Sequence, residues 1–211
     1  MSDKEKVLVF KASVLPELAT MNGFADDSGI AALYGNRIFL GEVATDEKPF
    51  FKDRAEAETD ESVKQVIPYI IIRLNTEGED KYLVYQRTKK GGEGRLMGKH
   101  SIGIGGHVNE SDKSHDDGLF AVEAFFSCIR REIKEELEID LFPRFHIRGL
   151  IYDPSDAVGR VHFGFVVEMI AMNGNVKPRD EAISDPHFVT VSKLKGIQDL
   201  ENWSQLILKN L

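Results

Sequence analysis

Three carboxylates crowd one stretch of this chain, Arg131-Glu132-Ile133-Lys134-Glu135-Glu136. On a helix Glu132, Glu135 and Glu136 stand at i, i+3 and i+4, so their side chains share one face over about one turn. Like charges that close repel, and a helix with nothing to hold there does better with a lysine among them. A divalent cation gives the crowding a purpose. Hard Mg²⁺ takes carboxylate oxygens and keeps its other positions for water and substrate phosphates. The same residues also have an ordinary reading: Arg131 with Glu135, or Lys134 with Glu138, are i,i+4 pairs on a solvated face, and glutamate is a good helix former. The surrounding sequence decides between the two.

The elements that must position these groups can be read on either side. From Leu119 to Leu137 the apolar residues Val122, Phe125, Phe126, Ile129, Ile133 and Leu137 recur at helical spacing. The three glutamates then fall along one border of that stripe, at the rim of a core. Asp116 and Asp117, beside Gly118, supply an N-cap, and nothing breaks the helix before Asp140 and Pro143. Upstream, Ser101-Ile102-Gly103-Ile104-Gly105-Gly106-His107-Val108 reads as a short strand entering a glycine turn. Glycines let the backbone come close to a ligand, so carbonyls or N–H groups there can touch it directly.

Together these segments resemble the Nudix hydrolase superfamily, whose signature is Gly-x5-Glu-x7-Arg-Glu-U-x-Glu-Glu-x-Gly-U, with U a bulky aliphatic residue. Glu123 stands at the required distance before Arg131, and Glu132, Ile133, Glu135, Glu136 and Ile139 follow in register. Gly105-Gly106 looks like the family's glycine pair. Two departures accompany the match. Glu138 replaces the late glycine, and Asn109–Gly118 lengthens the gap between Gly106 and Glu123 with a polar, acidic loop. The run from Arg95 to His107 also looks like a subgroup described as predicted MutT-type phosphoesterases.

The resemblance covers roughly residues 65 to 211 and implies an α/β (α+β) fold, a Nudix-type α/β/α sandwich with a mixed sheet. Val66–Leu74, Lys81–Arg87, Phe145–Tyr152, Val161–Ile170 and His187–Val191 read as its strands, with a polar turn at Asn75–Asp80. Asp199–Leu211 reads as a terminal amphipathic helix. Residues 63–211 form the expected hydrolase domain. Residues 1–62 form a small α+β extension, with strands at Val7–Phe10 and Arg37–Val43, a short helix at Leu15–Met21 and an acidic linker at Ala55–Lys64. That extension could cap the fold, cover a substrate pocket or mediate a homodimer.

The chain has 211 residues, 42% of them hydrophobic and 29% charged, which suits a globular core. A net charge of -8 argues against sequence-independent grip on nucleic acid. It leaves phosphate substrates open, because bound cations and a few lysines invert the local field. The one cysteine, Cys128, forms no internal disulfide and reads as a small core residue. With no signal-like or membrane-spanning stretch, the expectation is a cytoplasmic protein without a membrane partner.

By resemblance the activity is Mg²⁺-dependent hydrolysis (Mn²⁺ being an alternative ion) of a phosphoanhydride in a nucleoside diphosphate linked to another moiety. The implied metal set is Glu132, Glu135, Glu136 and the Gly105 carbonyl. Glu132 is the first choice of general base, with Glu181, or Asp180 beside it, as the late acidic-loop residue. Arg131 orients a glutamate by a charge-assisted bond. Arg87, Lys89, Lys90, Arg95 and Lys99 are candidate diphosphate contacts, and His107 and His100 flank the glycine turn. Two other functions are weighed. An isopentenyl-diphosphate isomerase needs, in the family pattern, a cysteine in the glycine-bearing segment, and Ser101–His107 has none. A nucleotide-sensing Nudix-like binding module would show as binding without turnover.

Overall fold

The computed structural model describes residues 5–14, 21–26, 48–90, 96–113 and 120–211. Its strands are β1 (Lys6–Lys11), β2 (Gly23–Asp26), β3 (Phe50–Asp53), β4 (Val63–Thr76), β5 (Glu79–Arg87), β6 (His100–Ser101), β7 (Gly103–Gly105), β8 (Leu137–Tyr152), β9 (His162–Pro178) and β10 (Ile183–Thr190). The helices are α1 (Arg54–Ala57), α2 (Phe120–Glu136), α3 (Ala157–Val161), α4 (Val191–Leu194) and α5 (Asn202–Leu208). A mixed sheet with a few helices makes the fold α/β, as expected. The anticipated strand at Arg37–Val43, most of the helix at Leu15–Met21, the N-cap at Asp116–Gly118 and Arg95 lie outside the described residues.

Two units divide the chain. Unit 1 comprises Met1–Pro68, Gly105–Arg130 and Arg148–Val166; unit 2 comprises Tyr69–Ile104, Arg131–Ile147 and Val167–Leu211. In unit 1, β1 pairs antiparallel with β3 on one side and with the start of β4 on the other. A strand flanked on both edges tolerates a continuous apolar run, and Val7, Leu8, Val9 and Phe10 are all fully buried. Phe10, Phe163, Phe165 and Phe125 continue this core as a chain of ring contacts with centroids 5.5–6.3 Å apart.

Unit 2 is built around β5, which pairs antiparallel with β10, with Arg73–Thr76 of β4 and with β6. Its interior holds Ile70, Ile71, Ile72, Val84 and Tyr85. The β4–β5 hairpin closes on two residues, Glu77 and Gly78, at φ 55° and 80°. Positive φ at both positions matches the right-handed twist of the flanking strands, and glycine makes the second one cheap. Gly103 is required for another reason: a Cβ there would stand 2.0 Å from the Tyr69 ring.

Three expectations change. Ala55–Lys64 is not a bare linker. Asp53 caps α1 by accepting from the Ala55 N–H at 3.0 Å, and Ala57 and Val63 are buried with Val7 and Val9. Two small anchors are enough to seat a segment whose apolar content is low. Helix α2 stops at Glu136, well short of Pro143, because the Glu136 carbonyl takes its hydrogen bond from the Arg179 N–H at 2.8 Å. The chain then enters β8 directly. The buried face of α2 is also rotated from the expected stripe. Ala121, Ala124, Phe125, Cys128 and Ile129 are buried, whereas Val122, Phe126 and Ile133 are only half-buried. Phe125, Ile129 and Leu137 of the expected stripe are buried, and the small residues Ala121, Ala124 and Cys128 complete the packed face.

Candidate active site

Continuing that packed face by helical steps from Phe125 through Cys128 leads to Glu132 and then Glu136. Glu132 therefore occupies a core position and is 8% exposed. Glu135 points outward, its side chain 57% exposed. Arg131 connects them: its Nη1 donates to Glu132 Oε1 at 2.6 Å and to Glu135 Oε2 at 3.2 Å. The three carboxylates and this arginine all belong to unit 2.

Glu136 bears the cost of the arrangement. Burial, and next the negative charge of Glu132, push its carboxyl up to about 8; Arg87 opposes this, while Asp180 and Glu135 add to it. The end of a helix carries partial negative charge of its own, which disfavours carboxylates in the last turn. A half-buried carboxylate beside a second acid in the last turn of a helix is electrostatically unfavourable by itself and becomes favourable when a cation binds. The donor set, all carboxylate oxygen, is the kind a hard divalent ion takes, so these residues fit such a metal.

The segment between β9 and β10 is fastened to this cluster. Arg179 and Asp180 both direct backbone N–H groups to the Glu136 carbonyl, and Arg179 Nη1 donates to the Lys134 carbonyl at 3.2 Å. Asp180 thereby comes close enough to raise the Glu136 pKa. Glu181 turns the other way, into an ion pair with Lys90, while its carbonyl accepts from Thr88 Oγ1 at 2.6 Å. Of the two late-loop acids, Asp180 is the one whose charge Glu136 feels.

Arg87 is engaged from within unit 2. Its Nε donates to Glu201 Oε2 at 3.1 Å. The other Glu201 oxygen accepts from Tyr69 Oη and Ser101 Oγ, both at 2.5 Å, and from Ser204 Oγ at 3.3 Å. This buried network ties β4, β5, β6 and α5 together. Lys99 is exposed on the stretch leading into β6. In unit 1, Gly105 ends β7, and Cys128 Sγ donates to the His107 carbonyl at 3.3 Å just beyond it. His107 is brought together with His162 and Glu58. Neither Glu58 nor His162 stood out in the sequence, because each lies about fifty residues from His107 in a segment without a motif. Glu201 was missed because it sits alone in an amphipathic stretch.

No family model matches the sequence. The chain is 36% identical over 163 residues to Protein YmaB of Bacillus subtilis (strain 168), spanning 74% of each protein. Its structure is similar to that of Tm1382, described as a candidate Nudix hydrolase, with a TM-score of 0.73 and 28% identity over 98% of this chain and 97% of that one. It also resembles in fold the NUDIX domain of Shewanella oneidensis NrtR, crystallised with ADP ribose, with a TM-score of 0.52 and 11% identity over 69% of this chain and 84% of that one.

Proposed function

We propose that this chain, which belongs to the Nudix hydrolase superfamily, hydrolyses a phosphoanhydride bond in a nucleoside diphosphate linked to another moiety, in a Mg²⁺-dependent reaction. The observation that carries the reading is the group of acids in the last turn of α2: Glu132, 8% exposed, is bridged to Glu135 by Arg131, and the half-buried Glu136 follows one turn on. Such a group favours a cation over solvent water as its partner.

Glu132, Glu135 and Glu136, all in unit 2, would hold the ion. A bound divalent cation lowers the pKa of its water and neutralises phosphoryl oxygens, the two needs of this hydrolysis. The chain's own contribution is positioning. Arg131 clamps Glu132 and Glu135 in one orientation and lowers the cost of keeping both ionised. Glu132, the more enclosed of that pair, is the first choice of general base. Asp180 is the preferred second acid, with Glu181 behind it, because the Asp180 backbone is pinned at the helix end. Lys99, Arg95 and Arg87 stay candidate substrate contacts; Arg87 would act as a fixed positive charge behind the cluster, since its guanidinium is already paired with Glu201.

A phosphate-release screen tests this. Nucleoside triphosphates, nucleotide sugars, ADP-ribose and dinucleoside polyphosphates are each incubated with Mg²⁺ or Mn²⁺ and the products identified. Cleavage between phosphorus atoms that requires the metal supports the reading. Failure to cleave any of them, or cleavage indifferent to chelation, overturns it.

A further inference from the structure

We propose that Glu58, His107 and His162 form a second cation site, for a Zn²⁺-class transition metal, that is separate in residues and in chemistry from the acidic end of α2. One ligand atom from each of the three lies within 4.8 Å of the others, the group of this kind found among the described residues. All three belong to unit 1. His107 Nε2 stands 3.0 Å from His162 Nε2, and Glu58 Oε1 is 3.9 Å from both. With metal–ligand bonds of about 2.0–2.1 Å, a tetrahedral ion separates its ligand atoms by roughly 3.3 Å. The two imidazoles are thus a few tenths of an ångström too close and the carboxylate about half an ångström too far. The Glu58 side chain, 33% exposed, has room to make up that difference.

The surroundings favour the same use. His162 is 7% exposed, and its Nδ1 stands 2.8 Å from the Val158 carbonyl in α3. A carbonyl only accepts, so Nδ1 carries the proton and the Nε2 lone pair faces the cluster. That is the arrangement by which a second partner fixes a metal-binding histidine's tautomer. His107 is held at its backbone by Cys128. Two imidazoles and one carboxylate are a donor set suited to Zn²⁺ and its neighbours, whereas Mg²⁺ prefers oxygen. Three protein ligands leave a fourth position for water or a ligand atom. The ion would clasp three segments far apart in sequence: the end of α1, the glycine turn and the first residue of β9. Two arrangements compete with the ion. Arg54 Nε lies 3.6 Å from the same Glu58 oxygen, and the two Nε2 atoms at 3.0 Å could share one proton.

Titration of the metal-free full chain with Zn²⁺, read by calorimetry and by the rise in Tm, and with Co²⁺, read by its visible absorption, tests the site. The expected result is one tight equivalent that persists in Glu135→Gln and Glu136→Gln. Its affinity should fall by at least about 100-fold in Glu58→Gln and in His107→Gln, more than the loss of an outer-shell partner usually brings. Circular dichroism of the two unit 1 variants checks that they fold, and the partly exposed Glu58→Gln decides if the histidine variant does not. Zinc binding unchanged by Glu58→Gln and His107→Gln, or abolished by Glu136→Gln, overturns the proposal. Because the readout is binding, it stands or falls independently of nucleotide hydrolysis.

Discussion

Unit 2 contains two carboxylates in opposite surroundings, Glu201 buried and Glu136 half-buried. Glu201, 4% exposed, receives hydrogen bonds from Tyr69, Ser101, Ser204 and the Arg87 guanidinium. Both its oxygens are supplied by the protein, and its charge is offset within the fold. Glu136 is pushed up to about 8 by burial first and then by Glu132, the strongest charge around it. A carboxylate that the fold satisfies is part of the fold. One that the fold crowds with its own kind is, in the proposed reading, a place for a cation.

The sharpest way to break this comparison is to neutralise each acid in turn. Glu136→Gln and Glu135→Gln should each lower metal-dependent turnover by about 100-fold or more, since a ligand to the ion is lost. Unfolding stability in chelator should stay level or rise, because repulsion is relieved. Wild-type turnover in both variants would sink the assignment of the cluster. Glu201→Gln should do the reverse. It leaves the Arg87 cation enclosed without its counter-charge and should cost about 3 kcal/mol in urea unfolding, with turnover per folded molecule affected far less.

The pH dependence of stability sharpens the contrast further. The Glu136 pKa in the folded protein lies above its ordinary 4.5, so the folded state binds this proton more tightly than the unfolded chain does. The associated stability is fully present below about pH 4.5 and is lost as pH rises toward about 8. Chelated wild type should therefore lose on the order of a few kcal/mol across that window. Glu136→Gln should flatten that part of the profile, and added Mg²⁺ should restore stability at its alkaline end. Chemical denaturation at several pH values, with and without the ion, measures all three effects.

The smallest expected difference lies in the loop. Asp180→Asn removes a charge that Glu136 senses and should lower turnover several-fold. Glu181→Gln gives up an exposed pair with Lys90, worth about 0–1 kcal/mol, and should leave turnover within about twofold. Side-by-side kinetics with the best substrate from the screen distinguish them, and a larger loss in the Glu181 variant would reverse their order.

What the sequence revealed follows the range of the interactions. Glu132, Glu135 and Glu136 were legible because one helical turn gathers them, so spacing alone predicts their proximity. The hairpin of β4 and β5, and the strands β8 and β9, were legible from apolar content, though both of the latter proved longer than their richest segments. The end of α2 was not legible, because it is set by backbone donors from Arg179 and Asp180, more than forty residues away. Its buried face was legible in part: Phe125, Ile129 and Leu137 are buried, but bulk misled at Val122 and Phe126, which are less enclosed than Ala121, Ala124 and Cys128. The grouping of Glu58, His107 and His162 has no local signature at all; only the fold brings those positions together.

The Glu136 carbonyl works as a hook on which the connection between β9 and β10 hangs by two peptide N–H groups. Side chains along that connection can vary without unhooking it, whereas inserting or deleting a residue between Pro178 and Ile183 cannot. Drift in this region should therefore show up as changes of letter at constant count, and grafting a longer loop there would unwind the final turn of α2 before it ever altered which nucleotide is chosen.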